Sequence, residues 1–181
     1  MNFLNVGFIF CLSIFLSSCQ NEISHKNSVE DEVSNKAIIS IGKKLENKYN
    51  LSLGAIGGGA KDGIWLLTAG FTRHGKYLKL NESRLLIVEI TQDYLKDIND
   101  NQELKPYLKV YPFTTSNLYV FVINLEKNGE EVKDPYIGSM SAREGIINYK
   151  TNDPCDEYKY KFKFKETFEE AVAKLQQEFV L

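Results

Sequence analysis

The glycine-rich stretch Gly54-Ala55-Ile56-Gly57-Gly58-Gly59-Ala60-Lys61-Asp62 has the backbone freedom of a phosphate-binding loop. Such a loop also needs Gly-Lys followed by Ser or Thr, so that the lysine reaches the terminal phosphates and the hydroxyl holds magnesium. Ala60 and Asp62 stand in those places, so a mobile hairpin loop is expected. Asp97, Asn99 and Asn101 space their oxygens as the first positions of an EF-hand loop do. The glycine needed at position six is Gln102, however, and the bidentate glutamate at position twelve is Leu108. A polar helix end is the expectation there. Asn152, Asp153, Asp156 and Glu157 gather oxygens around Pro154 as a solvated turn does. Gly138-Ser139-Met140-Ser141-Ala142 lacks the final glycine of a nucleophile elbow. Of the two histidines, His25 lies in a polar N-terminal stretch and His74 in an exposed turn between Arg73 and Gly75. Cys155 is surrounded by acids, which disfavour a nucleophilic thiolate, and is expected to be a small half-buried loop residue. The sequence nominates no catalytic residue, no metal site and no cofactor.

Cys19 is different. It ends Leu16-Ser17-Ser18-Cys19 directly after an apolar run from Phe3 to Leu16. The run is interrupted by Asn5 and Ser13 and is too short for a spanning helix, which needs about 20 apolar residues. The string resembles a bacterial lipobox. That resemblance implies removal of residues 1–18 as a lipoprotein signal peptide, lipidation (palmitate among the acyl chains) at Cys19, and attachment to a lipid bilayer in the cell envelope. No Lys or Arg precedes Lys26, so a basic n-region is missing from the signal. Gln20 after the cysteine resembles outer-membrane sorting in Gram-negative cells, leaving the domain facing the periplasm or exposed at the surface.

Removing 18 of 181 residues leaves 163, which suits a single domain. The chain holds 22 Lys plus Arg against 24 Asp plus Glu, a net charge of −2. A basic footprint for nucleic acid is absent from that balance, so no nucleic-acid partner is expected. With Cys11 in the signal and Cys19 lipidated, Cys155 has no partner for an internal disulfide. The fold must rest on its apolar core. Residues 19–27 are expected to be the lipidated cysteine and a polar tether. Its eight residues from Gln20 to Asn27 reach at most about 29 Å.

Residues 28–181 then form one globular domain. Ser28 as N-cap, followed by Val33, Ala37, Ile38, Ile41, Leu45 and Tyr49, predicts an amphipathic helix ending near Asn50. Strands are predicted over 51–56 and 64–73, with residues 57–63 as a flexible turn. In the second strand Trp65, Leu67, Ala69 and Phe71 share one apolar face and Ile64 and Leu66 the other, which places it centrally. Asn81 is expected to cap a second helix carrying Leu86, Ile87, Ile90, Tyr94, Leu95 and Ile98. Residues 118–125 form another two-faced strand, placed mid-sheet. Asn128-Gly129 is a hairpin signal whose partner strand Pro135 displaces to 136–141. Strands follow near 146–150 and 158–165, and Thr167 with Glu170 makes a capping box for a last helix through Phe179. The expected fold class is α+β: an antiparallel sheet of about five to six strands with helices packed on one face.

In the last strand Lys159, Lys161, Lys163 and Lys165 alternate with Tyr158, Tyr160, Phe162 and Phe164. Period-two alternation buries the aromatics and leaves a row of four cations on the other face. Lysines blunt an exposed edge strand against aggregation, and they also offer contact with anionic lipid or polysaccharide. Tyr111-Pro112-Phe113-Thr114, Asp134-Pro135-Tyr136-Ile137-Gly138 and Tyr149-Lys150-Thr151-Asn152-Asp153, with the first and last helices, resemble Gram-negative lipoproteins of unknown function. The function expected is a membrane-anchored lipoprotein whose noncatalytic domain binds a protein or polymer of the envelope. A small envelope hydrolase or modifying enzyme, and a pilot for a secretion apparatus, are the alternatives.

Overall fold

The computed structural model describes residues 29–178. Cys19, the tether, His25 and Ser28 lie outside the described residues, as does Phe179. Helix α1 (Val29–Tyr49) is followed by strands β1 (Ser52–Ala60) and β2 (Ile64–His74), helix α2 (Leu80–Asp100), strands β3 (Leu118–Leu125), β4 (Ser139–Arg143), β5 (Ile146–Asp153) and β6 (Asp156–Thr167), and helix α3 (Phe168–Glu178). The six strands make one sheet in chain order. The fold is α+β. All neighbouring strands are antiparallel except β2 and β3, which run parallel, with Leu67 beside Leu118 and Phe71 beside Val122. The antiparallel sheet of five to six strands expected above forms with six strands, and one pair in it is parallel. Its physical reason is α2: a helix between two sheet neighbours returns the chain to the same end, which a parallel pair requires.

The helices form one layer, with α1 against β1 and β2, α2 against β3 and β4, and α3 against β5 and β6. Leu67, Ala69, Phe71, Leu118, Val120, Val122, Met140, Ala142, Ile147 and Tyr149 bury the covered face of the sheet. They meet Ile38, Ile41, Leu45, Ile87, Ile90, Tyr94, Ile98, Ala171 and Leu175 from the helices. Lys44 pairs with Asp97 at 2.7 Å, and Tyr49 donates to Asp93 at 2.7 Å, aligning α1 with α2. No described helix is long and apolar enough to cross a membrane.

Three local expectations are corrected. Gly57 to Gly59 are paired with Thr68, Leu67 and Leu66 inside β1, so the turn shrinks to residues 61–63, where Asp62 (φ 54°) and Gly63 (φ 105°) take left-handed conformations. The register breaks between Gly59 and Ala60, and Trp65 leaves the apolar face to lie over Gly59, 42% exposed. Helix α2 begins one residue before Asn81, with the Lys79 amide donating to Glu82 Oε2 at 2.8 Å. At α3 the capping box forms as expected: the Thr167 amide donates to Glu170 Oε2 at 2.9 Å and the Glu170 amide to Thr167 Oγ1 at 3.1 Å.

Candidate binding face of the sheet

With every described helix on one side, no described helix covers the other face of the sheet. Strand alternation sends Tyr119, Phe121 and Ile123 of β3 to this open face, together with Ser139, Ser141 and Arg143 of β4. From β5 come Asn148 and Lys150, paired with Ser141 and Ser139. The two-faced apolar pattern of β3 therefore does not mean burial on both sides: Tyr119, Phe121 and Ile123 stay half-buried. A shallow cavity of about 200 Å³ lies between β3 and β5, floored by the small side chains Ser139 and Ser141. Two strand spacings, about 10 Å, separate its aromatic wall from its polar wall.

Gly70 of β2 makes the aromatic wall possible. A Cβ there would stand 2.1 Å from the Phe121 ring, so only glycine lets that ring lie across β2. Tyr119 and Phe121 pack at 5.2 Å between centroids, and the Arg143 guanidinium lies 5.3 Å over the Tyr119 ring. Arg143 Nε also donates to Glu144 at 3.2 Å, at the end of the face.

The lysine row of β6 is interrupted. Thr151 pairs with Phe162 and Asn152 with Tyr160, so Lys161 is an extra residue in a bulge. The bulge reverses the alternation. Lys163 and Lys165 remain on the open face beside Lys150 and Asn148, and Tyr160 joins them there. Its ring, 41% exposed, lies under two ammonium groups, Lys150 at 4.7 Å and Lys163 at 5.1 Å. Lys161 pairs with Asp134 at 2.9 Å and Lys159 with Asp156 at 2.7 Å, both away from that cluster. Phe162 and Phe164 stay on the helical side, where Phe164 stacks on Tyr149 and Phe162 is 40% exposed beyond α3. The cations thus form a patch across three strands. The expectation that alternation buries the aromatics is thus corrected for Tyr160, which the bulge turns outward, and Arg143 and Lys150 join it because only the pairing of β4, β5 and β6 brings them together.

Behind the patch, on the covered face, Glu166 is buried among donors. Arg84 Nε (2.7 Å) and the Tyr149 hydroxyl (2.9 Å) donate to Oε1, and Lys174 Nζ (2.6 Å) donates to Oε2. Arg84 also donates to Asn81 Oδ1 at 2.7 Å. Burial opposes the charge on Glu166, but the hydrogen bonds from Arg84, Lys174 and Tyr149 outweigh it and hold the carboxyl below the usual range. Burial, followed by the bond to Glu166, pushes the Tyr149 hydroxyl far up. This carboxylate is held ionised and saturated, which suits a structural clasp and not proton transfer.

The remaining sequence candidates are placed apart. Asp97 and Asp100 pair with Lys44 and Lys96, while Asn99 exchanges hydrogen bonds with the backbone of Phe113 at 2.8 and 3.0 Å. Asn152 is buried and donates to Glu131, and Asp153 accepts from the Cys155 amide at 2.8 Å. Among the described residues no group of three or more His, Cys, Asp or Glu is gathered as metal ligands. Cys155 is exposed, not half-buried, because it sits at the tip of the β5–β6 turn. His74 is exposed at the end of β2. No protein-family profile, curated protein or solved structure matches the chain.

Proposed function

We propose that the protein is an envelope lipoprotein, anchored to a bilayer through Cys19, whose domain binds a protein or polymer of the envelope through the open face of its sheet. The observation that carries this is the composition of that face. Aromatic side chains of β3 and cations of β4, β5 and β6 surround a cleft that no described helix covers. Contiguous exposed apolar surface rimmed by polar groups marks interaction sites. The anchor rests on the lipobox resemblance at Leu16 to Cys19. Cys19→Ser is expected to abolish labelling by a fatty-acid analogue in cells; equal labelling of both forms refutes the anchor.

A second reading, a pilot that holds an apolar segment of a partner, rests on a groove of about 570 Å³ between α2 and α3, lined by Leu85, Val88, Val172 and Leu175. One experiment separates the two. A diazirine-bearing amino acid is placed at Lys165 on the open face or at Gln92 beside the groove, and irradiated in intact cells. Adducts from Lys165 and none from Gln92 support the open face; the reverse pattern refutes it in favour of the pilot.

A further inference from the structure

Resting on the open face as the binding surface, we propose that its ligand is an acidic polysaccharide. Around the cleft, the described side chains of β3, β4, β5 and β6 on that face include four cations, Arg143, Lys150, Lys163 and Lys165, and no acid, in a chain whose net charge is −2. Lys150, Lys163 and Lys165 make no ion pair among the described residues, so their charge is available. At the ends of the face Glu144 is paired with Arg143, and Glu131 keeps its charge while accepting from the Asn152 amide. Charge complementarity therefore selects an anionic ligand.

The rest of the face selects a sugar. A pyranose presents apolar C–H faces and equatorial hydroxyls, and so needs flat rings beside small hydrogen-bonding groups. Tyr119 and Phe121 supply rings on one wall, and Tyr160 supplies one beside the other. Ser139, Ser141 and Asn148 supply hydroxyl and amide groups between them. Two of the cations lean on Tyr160 and one on Tyr119, which orders them before a ligand arrives. From Ser139 to Arg143 the floor runs about 14 Å at the usual strand rise, long enough for an extended chain. A bilayer fits less well. The first described element, α1, packs on β1 and β2 from the covered side of the sheet, opposite the open face.

The test uses the full-length lipoprotein in detergent micelles, titrated with polygalacturonate, dextran sulfate, neutral dextran, polyglutamate and anionic lipid vesicles. Saturable binding to polygalacturonate or dextran sulfate is expected, with neutral dextran failing to bind. Lys163→Gln is expected to weaken it about tenfold, roughly 1.4 kcal/mol, and Lys163→Arg to restore it at an unchanged melting temperature. Tyr160→Leu is expected to weaken it while leaving every cation in place, an effect that charge alone does not explain. Binding to neither polyanionic glycan overturns the proposal. So does binding to polyglutamate or vesicles as tight as to the glycans, or binding unmoved by Lys163→Gln. Adducts from Lys165 that contain only protein, without glycan binding, overturn the polysaccharide while leaving the open face as the binding surface. No adducts from Lys165 and no glycan binding overturn both.

Discussion

Replacing Glu166 by Gln keeps the size of a side chain that is 1% exposed and removes its charge. The amide nitrogen must take one of two oxygen positions. At Oε2 it faces Lys174, and Arg84 Nη2 at 3.4 Å, setting donor against donor. Lys174, 44% exposed, can turn to water, whereas Arg84, 5% exposed, keeps Asn81 but loses its counter-charge. Breaking a buried pair from one side costs about 3–5 kcal/mol. The surviving contacts to Asn81 and to Oε1 place this case near 3 kcal/mol. In a chain of this length 1 kcal/mol moves the melting temperature by about 2–4 °C, so a fall of roughly 6–12 °C is expected at pH 7. The folded carboxyl lies below its ordinary value of 4.5, so its contribution is complete above that value and disappears as pH falls through the lowered one. The gap between wild type and Glu166→Gln should therefore close in acid. Thermal melts followed by circular dichroism from pH 7 down to about pH 3 measure it. A fall of less than about 2 °C at pH 7, or a gap that stays constant into acid, refutes the clasp.

Tyr94→Phe should leave stability unchanged or raise it by about 1 kcal/mol in denaturant melts, because the Tyr94 hydroxyl is fully buried and has no hydrogen-bond partner among the described residues. A loss above about 1 kcal/mol would show a partner that the structure does not contain. Gly70→Ala should cost about 1–3 kcal/mol by driving the Phe121 ring off β2. The same substitution in a Phe121→Ala background should cost little; equal costs in both backgrounds would mean that the ring does not set the requirement for glycine. Melts of the protein with and without a chelator should coincide, since Asp97 and Asp100 pair with Lys44 and Lys96, and the side-chain oxygens of Asn99 and Asn101 accept from the amides of Phe113 and Leu104. A drop of many degrees with chelator would reveal a metal site.

The helical stripes and the last capping box were legible because each depends on residues three or four apart. Thr167 and Glu170 form their box whatever the sheet does. The central positions of β2 and β3 were legible from their apolar runs. What escaped were properties of pairs. A parallel β2–β3 neighbour follows from where α2 docks, and glycines 57–59 become strand only because β2 lies beside them. The bulge at Lys161 is the clearest case. Eight residues alternate without a break, yet Asp134 draws Lys161 into an ion pair and Tyr160 turns to the open face. The candidate site was half legible for the same reason. Lys163 and Lys165 stand out within one strand, whereas Arg143, Lys150 and the rings of β3 join them only through strand order.

The two faces of the sheet depend on one another through this alternation. Tyr149 and Lys150 are neighbours in β5, as are Lys165 and Glu166 in β6, with each member of a pair pointing to an opposite face. The clasp of Arg84, Tyr149 and Lys174 on Glu166 fixes β5 and β6 against α2 and α3 from the covered side. It therefore also fixes the strands whose next residues carry the open-face cations. A rigid strand matters for those cations, since a lysine gains in a binding site only to the extent that its position is set before the ligand arrives. The buried charged pair thus has a consequence beyond stability: it holds the β5–β6 edge of the sheet in the register that brings Lys150 and Lys163 over Tyr160.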